Sequence, residues 1–235
     1  ELALLPFFFW LFLSPAPSAD HASTQRNNRN LLQSPALWLL GILLLLYVGS
    51  ENGAGGWVST YMQQTTSLAA TSAALAASGF WLAYTAGRMA AAWLGTRWSV
   101  RLLLTTSLGI AFMGGTVIFA STGNAAISIL GFLLLGFGFG PVYPTTLAVI
   151  TSTFSQSPGT AASLAVAMGS TGGMLIPWLQ GIVLESSGPR SAVLLLPGAT
   201  LLMLACLAAA RRARQREGSI IAVAVAAGVD GKSKT

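Results

Sequence analysis

Residues 36–61 read ALWLLGILLLLYVGSENGAGGWVSTY. This stretch is apolar along most of its length, and Glu51 is its single charged side chain. A helix needs about 20 mainly apolar residues to cross the hydrocarbon core of a bilayer. The stretch is therefore predicted to be a membrane-spanning helix that carries one carboxylate in its second half.

The composition of the whole chain agrees with that prediction. Of its 235 residues, 54% are hydrophobic and 8% are charged, and the mean hydropathy is +0.69. Soluble domains have about 25% charged residues. This balance excludes a soluble globular protein, a disordered chain and a coiled coil. The predicted class is an all-α membrane protein with several spanning helices.

The chain divides into four predicted regions. Residues 1–14 are apolar but too short to span, and we interpret them as the end of a truncated transmembrane helix. The alternative, a signal peptide, lacks the basic residues that precede its apolar core. Residues 15–34 are polar and rich in Pro, Ser and Asn, which predicts a linker. Residues 36–210 form a six-helix transmembrane bundle, and 211–235 form a tail. The six predicted spans are roughly 36–61, 68–94, 102–120, 125–150, 161–184 and 191–210.

Basic side chains predict the orientation of these spans. The net charge is +6, which in a soluble chain would suggest a nucleic-acid partner. Here the arginines lie in the linker, in the 95–101 loop and in the tail, whereas the opposite side has only Arg190. By the positive-inside rule the linker, the 95–101 loop and the tail face the cytoplasm. Both ends of the six-helix bundle are then cytoplasmic, and no nucleic-acid partner is expected.

Glu51 is the first candidate functional residue. A carboxylate in hydrocarbon costs several kcal/mol unless it faces a cavity, a partner or a proton. Four glycines at 49–56 weaken the helix by about 1 kcal/mol each, which predicts a local break of the kind that transporters place at substrate sites. Asn52 is a candidate polar contact, and Trp57 and Tyr61 form a candidate aromatic wall for a polyhydroxylated or cationic substrate. Alternatively, Glu51 is a structural acid and the two aromatic residues lie at the membrane interface.

The second span carries further candidates. Trp81, Tyr84, Thr85 and Arg88 are spaced so that they share one helix face. Trp81 is a candidate substrate contact, with core packing as the alternative. Arg88 either extends its side chain to the lipid headgroups or bonds helix ends at a cytoplasmic gate.

Glycine and proline mark the later spans. The run Gly136–Pro144 contains two prolines and three glycines, which predicts a kinked helix. Asn124 is predicted to cap this helix at its outer end. Gln180 follows Pro177 in the fifth span, where its amide would bond either a substrate hydroxyl or a neighbouring helix. The GxxxG spacings in the spans predict closely packed helices.

The sequence does not favour enzymatic chemistry. It contains no GxxxxGK[ST] phosphate-binding loop. Cys206 and His21 are the single cysteine and the single histidine, which excludes a disulfide within the chain and a metal site built from these residue types. We therefore expect neither a cofactor nor a metal, and we do not expect an enzyme.

Several runs together resemble a known family. They are Gly49–Trp57, Ser78–Trp81, Gly87-Arg88 with Gly95–Arg97 and Arg101, Gly136–Pro144, and Gly169–Pro177. In these runs the chain resembles the C-terminal half of a major facilitator superfamily transporter, from the end of helix 6 to helix 12. The branch of fucose-permease-like sugar transporters and fungal bypass-of-stop-codon proteins is the one that Gly49–Trp57, Ser78–Trp81 and Gly87-Arg88 look like. The acidic residue usual in the signature loop between helices 8 and 9 is absent, and Gly95-Thr96 stands there. The resemblance still implies Arg88 and Arg97 as candidate residues of the cytoplasmic gate.

The resemblance implies a function and a set of partners. It implies a secondary active transporter of the plasma membrane that works by alternating access between two six-helix bundles, the N-terminal one being absent from this chain. We expect proton-coupled uptake of a sugar or a similar small polar solute, with Glu51 binding the proton or bonding the solute. The expected partners are that solute, H+, the lipid bilayer and the missing bundle. The alternatives are efflux of a drug or metabolite, and a non-transporting membrane protein with a transporter fold.

Overall fold

The computed structural model describes residues 31–121 and 123–232, with side chains up to Gln215. The predicted helix end at 1–14 and linker residues 15–30 lie outside the described residues. The described chain forms seven long helices and no strand. They are α1 (Pro35–Thr65), α2 (Ala70–Leu94), α3 (Val100–Ala120), α4 (Ala125–Phe139), α5 (Val142–Thr153), α6 (Pro158–Ser187) and α7 (Pro189–Lys232).

Local sequence signals explain where several helices begin and end. Proline occupies the first turn of α1 and α6, where its missing N–H costs no hydrogen bond. The backbone N–H of Ile127 donates to Oδ1 of Asn124 (3.2 Å), so the predicted Asn124 cap is confirmed. Gly188 alone connects α6 to α7, and its φ of 82° is a conformation that favours glycine.

Gly140 and Pro141 interrupt the fourth predicted span. They separate α4 from α5, as the Gly/Pro-rich run predicts, because a proline cannot donate the hydrogen bond that continues a helix. Taken together, α4 and α5 are long and apolar enough to cross a membrane. The described part of the chain thus has six membrane-length units, since α4 and α5 count as one. Beyond the predicted last span, α7 continues as a helix through residues assigned to the tail.

Five of these six units are apolar enough by composition to cross a membrane, and α2 is the exception among the described helices. Its 25 residues are dominated by alanine and also include serine, threonine, tyrosine and Arg88, which lower its hydropathy. Even so, α2 packs against both α1 and α4. Packing against its neighbours therefore makes α2 the sixth helix of the bundle.

The helices approach closely where the chain has glycine. A Cβ added to Gly49 of α1 would lie 2.5 Å from the carbonyl oxygen of Gly172 in α6, and one added to Gly136 of α4 would lie 2.5 Å from that of Phe80 in α2. Gly53 similarly makes room for the side chain of Gln180. The predicted local break near Glu51 is therefore wrong, because α1 is continuous and its glycines are used for close packing against other helices.

Alternating helix directions give the bundle two distinct ends. Arg101 at the start of α3 and Arg211 in α7 meet at one end, where the Arg211 side chain donates to the Arg101 carbonyl oxygen (3.2 Å). We call this the arginine-bearing end. Leu184 of α6 and Ala192 of α7 lie together at the opposite end.

Candidate functional site

The candidate site is built on two residues one turn apart in α1. Tyr47 and Glu51 are spaced i, i+4 and therefore share a helix face. Tyr47 is fully buried, and its ring packs edge-on against Phe139 of α4 (5.6 Å between centroids) and at a tilt against Tyr143 of α5 (6.4 Å). These aromatic contacts fix the position of the Tyr47 hydroxyl inside the bundle, one turn from the carboxylate.

A second pair, one turn apart in α2, meets the first. The hydroxyl oxygens of Tyr47 and Tyr84 are 3.1 Å apart and share a buried hydrogen bond. The Nη2 group of Arg88 donates to the Tyr84 hydroxyl, and its guanidinium lies 4.6 Å from the centroid of the same ring. Tyr84 therefore connects the buried phenol of Tyr47 to an exposed cation.

Glu51 completes this cluster from the α1 side. Its carboxylate lies beside the hydroxyls of both Tyr47 and Tyr84, close enough for an electrostatic interaction with each. The Arg88 guanidinium can only donate hydrogen bonds. The Tyr84 hydroxyl therefore accepts from Arg88, and its own proton is available for a hydrogen bond to Tyr47 or Glu51. The four side chains thus form a continuous polar path between helices that are otherwise apolar. We call Tyr47, Glu51, Tyr84 and Arg88 the tyrosine–carboxylate cluster.

The cluster opens to the surface of the bundle on one side. Glu51 is half-buried and Arg88 is exposed. Trp81 is 40% exposed, and its ring packs edge-on against Tyr84 with 5.5 Å between centroids. Asn52, the next residue after Glu51, is also exposed. A solute that reached this surface would meet an indole ring, an amide and a carboxylate within a short span of α1 and α2.

The other predicted substrate contacts lie inside the bundle. Trp57 donates its Nε1 proton to the carbonyl oxygen of Pro177 (3.2 Å), and Tyr61 donates its hydroxyl proton to that of Ile118 (3.3 Å). Gln180 is buried, and its Oε1 has no hydrogen-bond partner among the described residues. These three side chains line one small cavity between α1, α4, α6 and α7. The structure therefore brings Trp57, Tyr61 and Gln180 together and separates them from the tyrosine–carboxylate cluster.

Arg97 lies apart from both groups. It follows α2 in the turn that leads to α3, is exposed, and stacks over the ring of Trp93 with 4.5 Å from its Cζ to the centroid. Arg88 lies two turns earlier in α2, bonded to Tyr84. The two candidate gate residues therefore have separate aromatic partners.

Tyr47 belongs to the site although it was not among the residues predicted from the sequence. A signal was present, because Tyr47 precedes Glu51 by four residues just as Tyr84 precedes Arg88 by four. A tyrosine one turn from the sole charge of a span is a candidate hydrogen-bond partner for it. What the spacing could not reveal is that the two tyrosines pair with each other across two helices.

Removing the Tyr84 hydroxyl tests this pairing. We expect Tyr84→Phe to lower the free energy of unfolding by about 1–2 kcal/mol, because it leaves the buried Tyr47 hydroxyl without its phenolic partner. Thermal unfolding of the purified full-length protein measures the change. The matched control is Tyr143→Phe, whose hydroxyl makes no hydrogen bond within the described part of the chain. Equal stability of the two variants would contradict the pairing.

Comparison with known proteins is consistent with this architecture. Bypass of stop codon protein 6 of Saccharomyces cerevisiae is 25% identical over 168 residues, which are 67% of this chain and 34% of that protein. Protein TsgA of Escherichia coli is 27% identical over 163 residues, which are 67% of this chain and 40% of the relative. The chain thus spans less than half the length of these two relatives.

Solved structures share the fold. FucP, a major facilitator superfamily transporter in the outward conformation, superposes with a TM-score of 0.73 over 85% of this chain and 47% of its own, at 18% identity. A variant of the Escherichia coli fucose:proton symporter FucP gives a TM-score of 0.75 over 89% of this chain and 52% of its own, at 18% identity. The match to about half of each structure confirms the predicted fold class, a six-helix bundle equivalent to half of this fold.

The long apolar helices define an integral membrane protein with several spans. The family model of the Major Facilitator Superfamily matches residues 2–165 and 40–228. The chain belongs to this superfamily. The predicted resemblance to fungal bypass-of-stop-codon proteins is confirmed by the similarity to bypass of stop codon protein 6, and the FucP structures share the fold.

Proposed function

We propose that the full-length protein is a secondary active transporter that takes up a sugar or a similar small polar solute together with protons. The tyrosine–carboxylate cluster is the observation that supports this proposal. Glu51 lies in the middle of a membrane-length helix, where an ionised carboxylate is costly. Its neighbours are two phenol hydroxyls, which can donate a hydrogen bond to the ionised form and accept one from the protonated form. Such surroundings allow the carboxylate to gain and lose a proton.

The proposed solute site is the open side of the cluster. Trp81 offers an apolar ring face of the kind that packs against the C–H surfaces of a sugar, while Glu51 and Asn52 offer acceptors and donors for its hydroxyls. Ligand sites combine an apolar lining with a few placed polar groups in this way. Trp57, Tyr61 and Gln180 remain predicted substrate contacts, although each faces the interior of the bundle.

The proposed orientation places the arginine-bearing end in the cytoplasm and the protein in the plasma membrane. The excess of arginine at that end supports the orientation through the positive-inside rule. Arg88 and Arg97 then lie toward the cytoplasmic side as the proposed gate residues. A second six-helix bundle in the full-length protein would supply the facing wall, since transporters of this type bind solute between two repeats.

Transport by the full-length protein in proteoliposomes tests the proposal. We expect an inward proton gradient to drive accumulation of one or more labelled sugars, and a protonophore to abolish that accumulation. Counterflow of lipophilic cations is measured in the same vesicles. Cation counterflow without sugar uptake would replace the proposal by an efflux function. The absence of both would favour a non-transporting protein.

A further inference from the structure

A cavity of about 630 Å³ opens at the arginine-bearing end, away from the tyrosine–carboxylate cluster. It lies between α1, α3, α5 and α7. We propose that this cavity binds an anionic phospholipid, with the headgroup on its arginines and the first part of the acyl chains against its apolar wall. The proposal requires only that the chain lies in a membrane, and it does not depend on the proposed transport function.

Three arginines supply the charge of the cavity. Arg101, Arg211 and Arg214 all line it. Arg211 is held in place by hydrogen bonds from its Nη2 group to the carbonyl oxygen of Arg101 (3.2 Å) and to Oγ1 of Thr105 (3.1 Å). A guanidinium has five N–H donors, so donors remain after these bonds. Three cations around one cavity repel each other unless an anion lies between them.

The described side chains contain no carboxylate that could be that anion. Glu51 and Glu185 are the two acidic residues between 31 and 215. Glu51 lies in the tyrosine–carboxylate cluster, and Glu185 lies in the last turn of α6, at the opposite end of the bundle. Within this part of the chain the positive charge is therefore uncompensated, and an anion from outside would satisfy it. Phosphate is a preferred partner of arginine because the guanidinium binds it with paired hydrogen bonds.

The remaining lining favours a lipid over a free anion. Apolar side chains also line the cavity. Val100 is 45% exposed, Ala148 is exposed and Val149 is half-buried, and beneath them lie the buried side chains of Leu40, Leu104 and Leu207. A small hydrated anion would leave the exposed surface of Val100, Ala148 and Val149 uncovered, whereas acyl chains would bury it. Basic pockets between membrane helices bind anionic headgroups by the same combination of charge and apolar surface.

Native mass spectrometry of the full-length protein tests the proposal. Detergent-solubilised protein is equilibrated with phosphatidylglycerol and phosphatidylcholine of identical acyl chains, and bound lipid is counted. We expect wild type to retain phosphatidylglycerol in preference to phosphatidylcholine. In the double variant Arg101→Gln/Arg214→Gln this preference should fall about tenfold. That variant keeps Arg211 and the backbone carbonyl that it contacts, so the local structure is preserved.

A matched double variant controls for the loss of two charges. Arg190→Gln/Arg212→Gln removes as much charge, but neither residue lines the cavity, and it should retain the wild-type preference. Equal unfolding temperatures of the two double variants would exclude misfolding as the cause.

Three results would overturn the proposal. The first is an equal loss of lipid preference in both double variants. The second is displacement of phosphatidylglycerol by millimolar inorganic phosphate, which would make the site one for a free anion. The third concerns Glu217, which follows Arg214 by three residues in the sequence. A preference for phosphatidylglycerol that wild type lacks and Glu217→Gln shows would mean that this carboxylate of the chain itself competes for the arginines.

Discussion

Replacing Glu51 by glutamine in the full-length protein is expected to abolish proton-driven solute uptake while the protein remains folded. Glutamine has nearly the same size and still bonds to the hydroxyls of Tyr47 and Tyr84, but it cannot bind and release a proton at physiological pH. We expect initial uptake under a proton gradient to fall at least about tenfold, which corresponds to about 1.4 kcal/mol. Uptake of labelled solute at several external pH values measures the effect.

A second carboxylate of the chain provides the control for this variant. Glu185 is exposed in the last turn of α6, so Glu185→Gln removes the same charge without touching the tyrosine–carboxylate cluster. It should leave uptake and its pH dependence unchanged. Solute exchange measured without a proton gradient separates proton coupling from solute binding. If Glu51 carries only the proton, Glu51→Gln should retain this exchange. Normal pH-dependent uptake by Glu51→Gln would make Glu51 a structural residue.

Adding one methyl group at Gly136 is expected to destabilise the bundle. An alanine Cβ there would lie 2.5 Å from the Phe80 carbonyl oxygen and 3.1 Å from a carbon of its ring, so α2 and α4 must move apart. Overpacking of this kind costs about 1–3 kcal/mol. Thermal unfolding of Gly136→Ala should therefore occur at a clearly lower temperature than that of wild type. Because Tyr84 lies one turn beyond Phe80, the variant should also weaken the contact between Tyr47 and Tyr84.

Gly109 gives the matched control for this substitution. It also lies within a helix, α3, but a Cβ added there meets no atom within 4 Å. Alanine is the better helix former by about 1 kcal/mol, so Gly109→Ala should leave the unfolding temperature equal or raise it. The two substitutions are chemically identical, but only Gly136→Ala is expected to lower the unfolding temperature. A similar shift in both would mean that helix propensity, and not the crossing of α2 and α4, determines the stability.

The sequence predicted those features that depend on neighbours along the chain. The length of the apolar stretches predicted the helices of the bundle. The Gly140-Pro141 pair predicted the interruption between α4 and α5, and Asn124 was predicted as a helix cap. Each of these features is determined by local backbone chemistry or by the transfer of side chains from water to lipid. These two effects can be evaluated without knowing which helices are in contact.

Features that depend on contacts between helices were predicted less well. The glycines around Glu51 were expected to break α1, but Gly49 and Gly53 instead provide space for Gly172 and Gln180 of α6. Glycine lowers helix propensity and also permits close packing, and only the position of the neighbouring helix decides which effect dominates. The pairing of Tyr47 with Tyr84 could not be predicted for the same reason, because it depends on how α1 and α2 cross. Glu51 could be identified as a candidate because its charge is unusual in a span wherever the partners lie.

The single residue between α6 and α7 limits where the chain can be engineered. Because Gly188 alone links two long helices, an epitope or a protease site inserted there would have to unwind a helical turn. The turns at residues 66–69 and 154–157 have four residues each between helices. Reporter sequences for mapping accessibility from each side of the membrane therefore belong in these two turns, which lie at opposite ends of the bundle.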